Sequence, residues 1–280
     1  MFENSKRMAT AALHGALTGA AIGTAALFVI APGASGKRQR APFMGKNIAH
    51  RGLHSRDKSV PENSLSAFRA AAEAGYAIEL DVQLSKDGEV VVFHDDTLDR
   101  VCSVHARVDE LTLAELKALR LCGTEETIPL FTEVLSTVRG RSAIVCELKD
   151  GKRNRELCRK TYDIISSYDG DICIESFNPM IVGWFRVHAS DLLRGQLAAP
   201  MREYPSTMSR PVVFALSHTL FNCIARPQFI AYKIGFRPVT VRLSEFLGAM
   251  RVGWTSHEPR NEKGRDAVIF EFYKPKLKFK

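Results

Sequence analysis

The chain has 280 residues, 45% hydrophobic and 25% charged, with 39 Lys+Arg against 31 Asp+Glu and a formal charge of +8. That balance excludes wholesale disorder and fibrous repeats, and the length suits two domains of about 150 residues or one α/β barrel of roughly 250. The basic excess comes without a Lys/Arg cluster interleaved with aromatics, so it points to an anionic partner and not to nucleic acid.

From Met8 to Gly36 there is no Asp, Glu, Lys or Arg, and Ala9–Ala31 is rich in Ala, Leu, Ile, Val and Gly. Such a stretch is long enough to cross a hydrocarbon core of about 30 Å, and Pro32-Gly33 stops it. A cleaved signal peptide is the alternative, but the apolar run exceeds the usual h-region of about 7–15 residues. The expectation is one transmembrane helix, lipid-embedded over residues 9–31, within an anchor-and-linker unit 1–43 ahead of a folded unit 44–280. Lys37, Arg38, Arg40 and Lys46 after the span outweigh Lys6 and Arg7 before it, which puts the folded unit on the cytoplasmic side of the cell membrane. Gly15, Gly19 and Gly23 form a small-xxx-small stripe suited to a homodimer.

Beyond the linker Pro32–Pro42, strand and helix patterns alternate. Asn47–His50 reads as a strand and Ser66–Ala74 as a helix, capped by Asn63 or Ser64 and closed by Gly75. Ala77–Leu84 is the second strand; Lys86-Asp87-Gly88 turns the chain back along Val90–His94 as a hairpin. Thr112–Glu115 is a capping box for a helix over Leu113–Leu119. Further strands are expected at Ser142–Lys149, Ile172–Phe177, Arg194–Leu197, Phe229–Tyr232, Arg251–Thr255 and Val268–Phe272, with helices such as Glu156–Tyr168, Met180–Val187 and Val239–Met250 between them. Eight strands beside the hairpin suit an α/β fold of the (β/α)8 TIM-barrel kind, with a doubly wound open sheet as runner-up. Cysteines 102, 122, 146, 158, 173 and 223 form no CxxC pair and read as reduced thiols. No phosphate-cradling GxxxxGK[ST] and no GxGxxG after a strand is present.

The chemistry lies in charges where a barrel strand is normally apolar. In Ile78-Glu79-Leu80-Asp81-Val82 the carboxylates share one face, and Ile144–Lys149 repeats the device with Glu147 and Lys149. Carboxylates converging from neighbouring strands repel unless one is protonated or a cation sits between them, and an all-oxygen set suits Mg²⁺ or Ca²⁺. His50 and His94 end strands at the same level, as an acid–base pair near neutral pH would. Arg51 and Lys149 add fixed positive charge for an anion such as phosphate. Each residue also has a plainer role: a solvent-facing carboxylate, a surface histidine, a Lys149–Glu147 pair, Asn63 as a helix cap.

Ala49-His50-Arg51-Gly52, Pro61-Glu62-Asn63-Ser64, Glu79–Gly88, Val91–Asp95, Glu147-Leu148-Lys149, Ser176-Phe177-Asn178 and Trp254-Thr255 occur in an order that resembles the glycerophosphodiester phosphodiesterase family. The resemblance implies a barrel related to the phosphatidylinositol-specific phospholipases C, with a cation held by Glu79, Asp81 and Glu147. It implies His50 and His94 as the acid–base pair, Arg51 and Lys149 on the phosphate, Glu62 in support and Trp254 in the pocket wall. The implied reaction releases sn-glycerol 3-phosphate and an alcohol. Ser256-His257 after Trp-Thr, and Glu271 where an aspartate is frequent, depart from the family pattern. A lysophospholipase D-type enzyme and a non-catalytic phospholipid binder are the alternatives. The apolar segment Pro211–Ala225 bears on the first: it is either core packing or a lipid-facing surface.

Overall fold

The computed structural model of the protein describes His14 and residues 23–279. Runs of β-branched and aliphatic residues form nine strands: β1 (Lys46–Ala49), β2 (Ala77–Leu84), β3 (Val90–Val92), β4 (Ile144–Leu148), β5 (Ile172–Ser176), β6 (Arg194–Ala198), β7 (Phe229–Lys233), β8 (Met250–Ser256) and β9 (Ala267–Phe270). All but β3 are parallel to their neighbours, and β1 pairs with both β2 and β9, so eight strands close into a (β/α)8 barrel. β3 runs antiparallel along the outer half of β2, the expected hairpin.

Strand period decides what faces inward. Ile78, Leu80 and Val82 of β2 and Ile144, Cys146 and Leu148 of β4 point outward into one buried cluster with Phe68, Phe131 and Phe185 of the surrounding helices. Ile48, Ala77, Val145, Cys173, Phe229 and Ala267 fill the lower barrel interior. Gly195 of β6 makes room there, since a Cβ at this position would sit 2.0 Å from the Phe229 ring. Above this apolar floor the same inward positions carry Glu79, Asp81, Glu147 and Glu175, all buried.

Helix ends follow local chemistry. Ser64 caps the helix Leu65–Ala74 by accepting from the Ala67 N–H, and Gly75 closes it at φ 80°. The helix expected over Val239–Met250 stops at Phe246, because Gly248 adopts φ 113° and Met250 already belongs to β8.

Most of the expected membrane span, including Gly15 and Gly19, lies outside the described residues. Among the described residues no helix is long and apolar enough to cross a membrane. Residues 23–30 are helical, with Leu27 and Phe28 exposed and Ile30 buried. The Ile30 carbonyl accepts from Asn222 Nδ2 (2.9 Å) and Ser244 Oγ (2.8 Å), and Arg226 donates to the Phe28 and Ala31 carbonyls. The segment called a linker thus lies on the barrel: Gly33 N–H bonds the Pro227 carbonyl, and Gln228 Nε2 the Ala34 carbonyl. It contains one helical turn, Lys37–Arg40. All six cysteines are free thiols.

Candidate active site

Parallel register brings the acids together. Asp81 of β2 lies opposite Glu147 of β4, and Glu147 opposite Glu175 of β5, so a row of carboxylates crosses three adjacent strands. Glu79 sits one inward position below Asp81. One oxygen each from Glu79, Asp81 and Glu147 lies within 4.8 Å of the others, an all-oxygen donor set that fits a divalent cation.

The electrostatics agree with that fit. Burial pushes the Glu79 carboxyl well above its usual value, and the negative charges of Asp81 and Glu147 push further. Burial also raises Glu147, against the opposing pull of Lys149. Asp81 stays ionised despite burial, because the charges of His94, Lys149 and Arg51 and a hydrogen bond from Asn63 hold it below the carboxylate range. Lys149 Nζ lies 2.8 Å from Glu147 Oε1 and 3.3 Å from Asp81 Oδ1. The plain pairing of Lys149 with Glu147 and its place at the acidic cluster are therefore one geometry.

His50 and Arg51 directly follow β1. Arg51 (φ 54°) and Gly52 (φ 80°) turn the chain so that the Arg51 backbone N–H donates to Glu79 Oε2 at 2.9 Å. Gly52 is required here: a Cβ would come within 2.9 Å of Ala67. The Arg51 guanidinium bonds Glu62 Oε1 at 2.7 Å and has Nε 3.6 Å from Asp81. Because Ser64 caps the helix, Asn63 is left to donate from Nδ2 to Asp81 Oδ2 at 2.9 Å.

The two histidines are held differently. His50 has Nε2 4.0 Å from Glu79 and Nδ1 2.7 Å from Glu271 Oε2. Burial lowers its pKa, while the bond to Glu271 works in the opposite direction. His94 bonds Asp95 Oδ1 through Nδ1 at 2.6 Å. Asp95 in turn accepts from Arg100 (2.6 Å), which also clasps Glu62 with two bonds of 2.7 Å. A continuous chain, His94–Asp95–Arg100–Glu62–Arg51, ties the second histidine to the arginine beside Asp81.

Both histidines, Arg51, Lys149, Glu79, Glu147 and Trp254 line a cavity of about 900 Å³ at the carboxy ends of the strands. Trp254 packs edge-on against Phe177 and anchors its Nε1 on the Ala231 carbonyl. The segment Pro211–Ala225 divides: Val213, Ser217, Asn222 and Ala225 are buried, whereas Val212, Leu216, Phe221 and Ile224 form an apolar cavity wall with Met208.

His50, Arg51, Glu79, Asp81, His94, Glu147, Lys149 and Trp254 thus lie together here, with Glu62 one hydrogen bond behind Arg51. Four others were not assigned a role. Asp95 directly follows His94, a signal that was available. Arg100 and Glu271 reach the site only through tertiary closure, and Glu175 is a single carboxylate in an otherwise apolar strand.

The chain is similar to known proteins. Curated glycerophosphodiester phosphodiesterase of Caldanaerobacter subterraneus subsp. tengcongensis is 42% identical over 114 residues, 37% of this chain and 45% of the relative. Human lysophospholipase D GDPD1 is 29% identical over 146 residues, 48% of this chain and 45% of the relative. The alignments therefore span about half the length of the curated relatives. Among solved structures, an Oleispira antarctica phosphodiesterase in complex with the product sn-glycerol-3-phosphate has a TM-score of 0.67 at 24% identity, covering 82% of this chain and 94% of that one. Glycerophosphodiester phosphodiesterase from Thermotoga maritima has a TM-score of 0.59 at 25% identity, covering 80% and 92%. The family model described as "Glycerophosphoryl diester phosphodiesterase family" matches residues 50–263, from His50 through all of β8, and the chain belongs to that family.

Proposed function

We propose that the chain hydrolyses glycerophosphodiesters to sn-glycerol 3-phosphate and an alcohol. The observation that supports this reading is that His50 and His94 share one cavity with Arg51, Lys149 and a cluster of three carboxylates whose oxygens could hold a cation. A divalent ion held by Glu79, Asp81 and Glu147 would neutralise phosphate oxygens, worth several kcal/mol of charge stabilisation. Arg51 and Lys149 orient the phosphate and offset its remaining charge. His50, kept neutral by burial and aligned by Glu271, takes the proton from the attacking oxygen of water or of the substrate's own glycerol hydroxyl. As that oxygen bonds phosphorus, the P–O bond to the alcohol breaks and His94 donates a proton to the leaving oxygen, Asp95 fixing the ring. Attack by water gives sn-glycerol 3-phosphate directly, whereas attack by the substrate's own hydroxyl leaves a cyclic phosphate that a water then opens.

A second reading keeps the chemistry and takes a lysophospholipid as substrate. It is favoured by the apolar wall of Met208, Val212, Leu216 and Ile224, which suits a lipid tail better than choline or ethanolamine. Glycerol 3-phosphate release from glycerophosphocholine and a choline-release assay on lysophosphatidylcholine, each with and without chelator, separate the readings. Turnover of only the soluble diester supports the first, turnover of only the lipid the second. Turnover of neither would leave a phospholipid binder.

The charge-free run Met8–Gly36 supports attachment of unit 44–280 to the cell membrane through the part of residues 9–31 ahead of Phe28, since Phe28–Ala31 are held on the barrel; the heavier positive charge after the run supports the cytoplasmic side, and Gly15, Gly19 and Gly23 a dimer face. Membrane fractionation of the full chain against a chain starting at residue 32, with protease accessibility in intact cells, tests this; equal partitioning of both forms into the soluble fraction would refute it.

A further inference from the structure

Glu175 is the one inward-facing acid of the carboxylate row that the reading above leaves unused. It is 1% exposed, it lines the cavity, and its Oε2 has no hydrogen-bond partner. A buried carboxylate oxygen without a partner is costly, and such groups are retained where something absent from the protein itself satisfies them. Its position says what that is. Adjacent strands lie about 4.8 Å apart, and Glu175 is in register with Glu147, itself in register with Asp81. Along its own strand Cys173 below and Phe177 above belong to the apolar cluster, and Gly195 faces it from β6, so the polar neighbours that register gives it are the carboxylates to the other side, Glu147 and beyond it Asp81.

We propose that Glu175, which lies beside Glu147 and outside the three acids whose oxygens are within 4.8 Å of one another, is a further carboxylate of the cation site that tightens its hold on a divalent ion. The proposal rests on the cation reading given above. Oxygen-ligand sites tune affinity through the number of charged ligands, so a further carboxylate raises it.

The test is Mg²⁺ and Ca²⁺ titration by calorimetry on the full chain, for wild type and Glu175→Gln, with melting temperatures in chelator and in saturating Mg²⁺. Glu175→Gln is expected to weaken cation affinity about 10- to 100-fold, the usual effect of removing a group that supports a metal site. In chelator it melts at or above the wild-type temperature, because a like charge beside Glu147 is gone; a purely structural role would lower it. Glu175→Met, of similar volume, gives the same readout should the amide disturb packing. Wild type that binds the ion while both variants bind it equally well overturns this proposal alone. Wild type that binds no divalent ion overturns the cation reading and this proposal together.

Discussion

Glu271 sets an Oε2 oxygen 2.7 Å from Nδ1 of His50 and 3.6 Å from Nε2 of His54, so one carboxylate just beyond β9 serves two imidazoles. Burial opposes its ionisation, yet the hydrogen bond from His50 and the nearby His54 imidazole hold its carboxyl below the usual range. The bond fixes which nitrogen of His50 faces the cavity: Nδ1 is engaged, and Nε2 points towards Glu79 and the site.

Glu271→Gln is therefore expected to lower kcat by about 10²-fold, the lower end of what general-base catalysis contributes. The pH profile has a definite sign. Glu271 raises the His50 pKa against the lowering by burial, so its loss lets that pKa fall further. The acidic limb of kcat/KM, where a base must be neutral, then moves to lower pH. A variant with unchanged rate and an unmoved limb would refute the orienting role.

Glu62 predicts a pH-dependent stability. Burial pushes its carboxyl up, but the hydrogen bonds and charge of Arg100, with the charge of Arg51, bring it from 4.5 to about 2. A folded-state pKa below the unfolded one stabilises above pH 4.5 and loses that contribution as pH falls towards 2. The contribution at pH 7 is at most about 3 kcal/mol. Glu62→Gln should be less stable at pH 7 by urea denaturation, and its stability should fall less steeply than that of wild type between pH 4.5 and 2. Parallel curves for the two proteins would refute the assignment.

Much of the site was legible because strand period is a local property. Glu79 and Asp81 alternate with Ile78, Leu80 and Val82 within five residues, and the barrel turns that alternation into inside and outside. Glu175 obeys the same period in Ile172–Ser176, but one carboxylate in a strand carries no pattern until register sets it beside Glu147. Glu271 lies 221 residues from His50 in sequence and meets it only because β9 closes the barrel onto β1. In the sequence it stood out only as a departure from an aspartate. Strand and helix ends shifted for backbone reasons: His50, His94 and Lys149 lie just past strands that end at Ala49, Val92 and Leu148, and Gly248 ends its helix early.

Gly52 is where backbone conformation and chemistry meet. At φ 80° and with Ala67 within 2.9 Å of any Cβ, alanine is both strained and crowded. Gly52→Ala should cost about 1–3 kcal/mol of stability and tilt the Arg51–Glu79 contact. The expected result is a rise in KM larger than the fall in kcat, since the role proposed for Arg51 is to bind the phosphate without transferring a proton. A variant as stable as wild type would show that the left-handed turn is dispensable.

The apolar wall gives the substrate its own test. Val212 is 41% exposed and lines the cavity, so Val212→Asn leaves the packing of the helix Arg210–Ser217 intact, with Val213 and Ser217 still buried. If an acyl chain lies against this wall, covering Val212 contributes about 1.5 kcal/mol, and its replacement raises KM for lysophosphatidylcholine roughly 10-fold. Glycerophosphocholine has no chain to lay there, so its kinetic constants should not change. The ratio of the two kcat/KM values, measured on one preparation, cancels any loss of folded protein. A ratio equal to that of wild type would remove the lipid tail from this wall and leave the soluble diester as the substrate the cavity serves.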